Sequence, residues 1–187
     1  EGAIKGAAES AVRQEKAVKT AEGASSGTDA IGEVVDNAAK AADKASVKGI
    51  AKGIKEIVEA AGGSEKLKVA AATGENNKEA GKLFGKAGAG ANGDSEAASK
   101  AAGAVSAVSG EQILSAIVTA ADAADQEGKK PEEAKNPIAA AIGDKDGGAE
   151  FGDGMKKDDQ IAAAIALRGM AKDGKFAVKD GGEKGKA

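Results

Sequence analysis

The ionisable side chains set the first limits. The chain carries 30 Asp and Glu and 27 Lys and Arg, but no His, Cys, Trp or Tyr. Without imidazole the commonest general base is missing, and without thiols there is no thiolate nucleophile, disulfide or cysteine-held metal. The carboxylates are spread among lysines. Glu56 stands four residues after Lys52, the spacing of a solvated surface pair worth ~0.3–0.5 kcal/mol rather than of an acid–base couple. Gly88 to Gly93 spells G-x-G-x-x-G, yet no strand precedes it and Asp94 stands where a helix N-terminus would receive phosphate. A flexible loop is expected there. Asp144, Asp146 and Gly147 hint at a calcium loop, but Gly148 falls at the fifth position and Met155 where the bidentate Glu belongs. The expectation is no enzyme, no cofactor and no metal.

The net charge is −3, which points to neither nucleic acid nor an anionic membrane. Aromatic residues are 2% of the chain, too few for a platform that stacks bases. Lys129, Lys130, Lys156, Lys157 and Lys172 are candidate contacts for polyanions such as glycosaminoglycans; the plainer reading of each is a solvated surface lysine.

Positioning any surface falls to helices. The pattern predicts an all-α fold: an irregular, alanine-rich helical bundle with loops rich in Gly, Asp and Lys, in a single domain over 1–187. No apolar run reaches the ~20 residues of a membrane span, and no signal peptide is expected at Glu1. Ile, Val, Leu and Phe together make about 16% of the residues, below the roughly 20% at which disorder becomes a serious alternative. Alanine methyls bury little area, so the helices must pack along thin seams.

Helices are expected at Glu1–Glu22, from Thr28 to about Asp43, at Ala45–Ala61 and at Ala97–Val108. Ser109 and Gln112 have capping-box spacing and open another, with Ile113, Leu114, Ile117, Val118 and Ala121 inward. Pro131 and Pro137 can each occupy a first helical position. Gly62 and Gly63 should end the third helix. The tail from Asp180 is expected to fray. No segment reads as a strand in a sheet.

The sharpest element lies within Met155–Lys179. Asp158 or Asp159 is expected to cap it, Ile161, Ile165 and Arg168 to form one narrow stripe, and Gly174 to close it in the left-handed conformation. Ile161 and Ile165 form the expected core face. Phe176 and Val178 alternate with polar residues as an extended tail would.

The words DDQIAAAIALRGMAKDGKFAVK, KASVKGIAKGIKEIVEAAGGSEKLK, SEAASKAAGAVSAVSGEQILSAIVTAADAA and GKKPEEAKNPIAAAIG resemble the Vls variable surface lipoproteins of Lyme-disease spirochaetes, along almost the whole chain. The resemblance implies one recombination cassette, with the flanking constant segments and lipoprotein signal absent. It implies an antigenically variable outer-surface protein, lipid-anchored when intact, that evades host antibodies by sequence change in loops on a helical frame. The implied variable loops are Ala24–Lys44, Gly62–Glu79, Gly85–Glu96, Asp125–Gly128, Asp144–Gly152 and the tail from Asp180. The implied antibody epitope helix comprises Lys156, Lys157, Asp158, Asp159, Gln160, Arg168, Met170, Lys172, Asp173 and Lys175. EGAIKGAAESAVR, at Glu1–Arg13, resembles the word that follows a cassette in that family, yet here it precedes one. An adhesin for host polyanions is the alternative, and a disordered protective protein rich in Ala, Gly, Lys and Glu is a further one.

Overall fold

The protein is described from a computed structural model covering residues 2–24, 30–36, 41–67, 69–85 and 92–186. The α-helices are α1 (Gly2–Ala24), α2 (Lys44–Ala60), α3 (Ser95–Ser106), α4 (Gly110–Ala121), α5 (Pro137–Ile142), α6 (Asp158–Met170) and α7 (Gly181–Lys184). Short 3-10 segments lie at Ser64–Leu67, Lys78–Phe84 and Asp153–Met155. Helix dominates, as the alanine-rich composition demands.

The start signals behave as their chemistry requires. Asp43 caps α2 by accepting the Ser46 amide, Asp94 caps α3 by accepting that of Ala97, and Asn136 caps α5 with Pro137 inside the first turn. Ser109 and Gln112 form the reciprocal capping box of α4. Gly62 and Gly63 end α2 with φ of 121° and 84°, a region that costs a Cβ-bearing residue energy, and the Gly63 amide reaches back to the Val58 carbonyl at 2.9 Å.

Two apolar clusters share one helix. The first gathers Phe84, Phe151, Phe176, Met155 and Ile161; the second gathers Val47, Ile50, Ile117, Ile138, Ile142 and Leu167. α6 gives Ile161 and Ala164 to the first and Ala163 and Leu167 to the second. It is therefore a central helix, packed against α2, α3, α4, α5 and the 3-10 segment at Lys78–Phe84. The narrow stripe read from the sequence is corrected: residues on nearly every side of α6 are buried, and alanines are what permit close approach from several directions. All three phenylalanines of the chain meet edge to face, Phe84 lying 5.0 Å from Phe151 and 5.5 Å from Phe176.

Further corrections concern the ends of elements. Val34–Val35 (β1) runs parallel to Phe176–Ala177 (β2), pairing Val34 with Phe176 and Val35 with Ala177. Over 30–36 this replaces the helix expected from Thr28 to about Asp43, of which 37–40 lie outside the described residues. Gly32 takes φ 71°, which breaks a helix, and the β-branched pair is drawn into the ladder by the Phe176 amide bonding the Glu33 carbonyl at 2.8 Å. Thr28 itself lies outside the described residues. The extended tail expected from Phe176 is present as β2. Pro131 begins a turn rather than a helix. At α6, Lys157 holds the cap position, so Asp158 and Asp159 fall inside the first turn. Asp173, with φ 60°, takes the left-handed position expected of Gly174. Gly174 is needed for another reason: a methyl there would sit 1.8 Å from the Arg168 carbonyl oxygen. The tail forms α7, capped by Asp180 and held by Glu183, which accepts the Ser95 amide at 2.7 Å.

Candidate antigenic surface

Surface side chains here stand on loops whose backbones are pinned to the frame. The segment 69–77 crosses the N-terminus of α6. Asp159 accepts the Ala72 amide at 3.1 Å, Asp158 accepts from the Asn77 side-chain amide at 2.8 Å, and the Asp158 amide donates to the Gly74 carbonyl at 3.1 Å. The Gln112 side chain holds the Ala70 carbonyl at 2.9 Å, and Lys156 pairs with Glu75 at 3.2 Å. Thr73, Glu75 and Asn76 remain exposed. Asp159 thus accepts a backbone amide and Asp158 a side-chain amide, both at the positive end of a helix dipole.

The segment 143–154 is pinned by glycines. A methyl at Gly152 would approach the Glu132 carbonyl oxygen to 2.3 Å, and one at Gly154 the Ala134 carbonyl oxygen to 2.8 Å. Phe151 and Met155 are buried anchors, whereas Lys145, Asp146, Glu150 and Asp153 are exposed. Gly93, from the G-x-G-x-x-G run, serves close packing: its methyl would stand 2.0 Å from the Ala177 carbonyl oxygen, and its carbonyl accepts the Lys179 amide. The earlier part of that run, Gly88–Ala91, lies outside the described residues.

The implied epitope helix is mostly inward. Asp158 and Asp159 are 4% and 6% exposed and Arg168 only 1%. Lys156, Lys157, Gln160, Asp173 and Lys175 are half-buried, and Lys175 pairs with Glu33 at 2.9 Å. Met170 and Lys172 are exposed. Ile161 is fully buried, as expected of a core face, while Ile165 is half-buried.

Arg168 is the residue whose role the sequence hid. Its Nη1 donates to the carbonyls of Ala141 and Ile142 at 2.8 and 3.1 Å, and its Nε to that of Lys175 at 2.9 Å. The guanidinium lies 5.7 Å from the Phe84 ring centroid. It therefore closes the C-terminal end of α5 and ties α6 to the approach of β2. Burial pushes its pKa down from 12.5 to about 10, and the group stays cationic at neutral pH. Its place on the apolar stripe, seven residues after Ile161, was the available signal.

Two of the lysines proposed for polyanions stand at opposite ends of one helix. Lys157 and Lys172 flank α6, whose 13 residues span about 20 Å at 1.5 Å per residue. Lys129 and Lys130 are half-buried in the turn that leads to Pro131. A second basic row, on α2, meets carboxylates: Lys44 bonds Glu127 at 2.5 Å, Lys52 pairs with Glu56 at 3.9 Å, and Lys55 pairs with Asp122 and Glu59. The Lys44 hydrogen bond holds the Glu127 carboxyl below its usual range, and the Asp122 carboxylate raises the Lys55 ammonium. Among the described residues, no cluster of three Asp or Glu is placed to hold a metal ion.

An alanine-rich, all-α frame with a buried central helix and polar connecting loops is the architecture that these contacts define. The chain belongs to the Borrelia lipoprotein family, whose model matches residues 1–187. It is similar to the crystal structure of the Lyme disease variable surface antigen VlsE of Borrelia burgdorferi, with 86% identity and a TM-score of 0.96 over 100% of this chain and 69% of that one. It is also 38% identical to Variable large protein 17 of Borrelia hermsii, over 89% of this chain and 48% of the relative. Variable large protein 4 of the same organism is 38% identical over 75% of this chain and 41% of its own length. The chain thus spans a little under half the length of these two relatives.

Proposed function

We propose that this chain is the antibody-facing part of an antigenically variable surface lipoprotein, held in the intact protein on the outer membrane by a lipid anchor. Its partners are host antibodies, and it performs no reaction and needs no cofactor. Exchange of loop sequence changes the surface those antibodies meet, while the helical frame persists. The observation that carries this reading is the division of labour within 143–154: glycines and Phe151 hold the backbone, and Lys145, Asp146, Glu150 and Asp153 project outward. The likeness to a variable surface antigen supports it. α6 itself is recognised only when the chain opens, since its carboxylates and Arg168 point inward.

Cross-adsorption tests the proposal. Serum raised against the folded chain is adsorbed with a version carrying substitutions at Glu75, Asn76, Lys145, Asp146, Glu150 and Asp153. Most antibody should remain unadsorbed and still bind the original. Complete removal by the altered protein would place recognition on the frame and overturn the proposal.

A further inference from the structure

Two stretches far apart in sequence approach here backbone to backbone. A methyl on Gly85 would stand 2.1 Å from the Gly147 carbonyl oxygen, and one on Gly81 would stand 2.6 Å from the Phe151 nitrogen. The Phe151 amide donates to the Lys78 carbonyl at 2.9 Å, and the Asn92 side-chain amide donates to the Gly148 carbonyl at 2.9 Å. Lys78 and Glu150 pair across the same seam at 3.7 Å. Such contacts leave no slack: no flexible side chain lies between the two backbones to absorb a shift in either one.

The seam is roofed by polar groups. Asn92, Lys145, Asp146 and Glu150 are exposed and Lys78 is half-buried. An antibody covers ~800 Å² per partner, some 20–30 residues. A footprint centred on Asp146 must therefore reach past its own loop. The mixed charge of Lys78 and Lys145 beside Asp146 and Glu150 suits a polar, hydrogen-bonding paratope. We propose that Lys78, Asn92, Lys145, Asp146 and Glu150 form one discontinuous antibody-binding surface. On this view the two stretches change antigenically as a unit, and altering either one alters recognition of the other. The inference rests on the antigenic reading above and adds its geometry.

The test uses monoclonal antibodies raised against the folded chain and selected for loss of binding to Asp146→Ala. Each is measured on Asn92→Ala, Lys78→Ala and Glu150→Ala, surface changes whose folding is checked by circular dichroism. Most clones should weaken about ten-fold or more on Asn92→Ala or Lys78→Ala, and a free peptide covering 143–154 should fail to compete. Clones indifferent to Asn92 and Lys78, or fully competed by the peptide, would overturn the composite surface while leaving the antigenic reading intact. If no clone in the whole panel is sensitive to any of these exposed positions, the antigenic reading fails together with the composite surface.

Discussion

Replacing Arg168 by Met tests the frame at its most exacting point. The substitution keeps an unbranched side chain of similar length but removes every donor. The guanidinium donates to the carbonyls of Ala141, Ile142 and Lys175. At about 1.5–3 kcal/mol for each hydrogen bond from a charged group, they sum to about 5–9 kcal/mol. Burial opposes this. A pKa held down from 12.5 to about 10 corresponds to a cost on the order of 3 kcal/mol. The net loss expected for Arg168→Met is thus about 2–6 kcal/mol, a large part of the ~5–15 kcal/mol that holds an ordinary domain. Ile142 keeps the Ala42 amide at 2.9 Å, which favours the lower half of that range. A middle value of about 4 kcal/mol lowers Tm by about 8–16 °C for a chain of this length. Arg168→Lys should recover little, because an ammonium cannot reproduce a planar fork that serves carbonyls on two elements. Urea denaturation followed by circular dichroism reads the effect as a lower midpoint. A shift below about 1 kcal/mol for the Met variant would refute the view that this cation ties α5, α6 and β2 together.

Other expectations are more local. Ser109→Ala removes one half of the α4 capping box and should cost about 1 kcal/mol, measured by thermal melt. Gly174→Ala drives a methyl against the Arg168 carbonyl oxygen, and should destabilise by more than Gly110→Ala, whose methyl meets open space. The pH response has a definite sign. Glu127 is held below its ordinary value of 4.5 chiefly by its hydrogen bond to Lys44, and Glu183 below it chiefly by the Ser95 amide. The stability each contributes is present above pH ~4.5 and fades as pH falls through the lowered folded value. Carboxyl NMR titration should show both midpoints below 4.5, and Lys44→Ala should return only that of Glu127. An antibody made against the peptide of residues 155–175 should bind the unfolded chain far better than the folded one; equal binding would show that α6 is more accessible than its packing indicates.

Much of the frame is legible in the residues because local signals and tertiary packing agree. The capping box at Ser109, the caps at Asp94 and Asn136 and the Gly62–Gly63 stop are short-range chemistry, and each appears where that chemistry puts it. What was hidden depends on partners distant in sequence. Val34–Val35 becomes a strand only because Phe176–Ala177 arrives alongside. Asp158 and Asp159 resemble surface caps until the segment 69–77 supplies donors to bury them. Arg168 is a cation on an apolar stripe with no partner in the local sequence until three carbonyls converge on it. The loops were legible as loops from their Gly, Asp and Lys. Their pinning was not, because a close approach such as that of Gly85 to Gly147 leaves no trace in either segment alone.

On the proposed function, display and support fall to separate sets of residues within the same loops. The most direct measurement takes one protein altered at Lys145, Asp146, Glu150 and Asp153 together, and records both its thermal melt and its binding by serum raised against the original chain. The expected result is a cooperative melt within a few degrees of the original and binding clearly reduced. A collapsed melt would show that the displayed residues also carry the fold, and unchanged binding would show that antibodies look elsewhere.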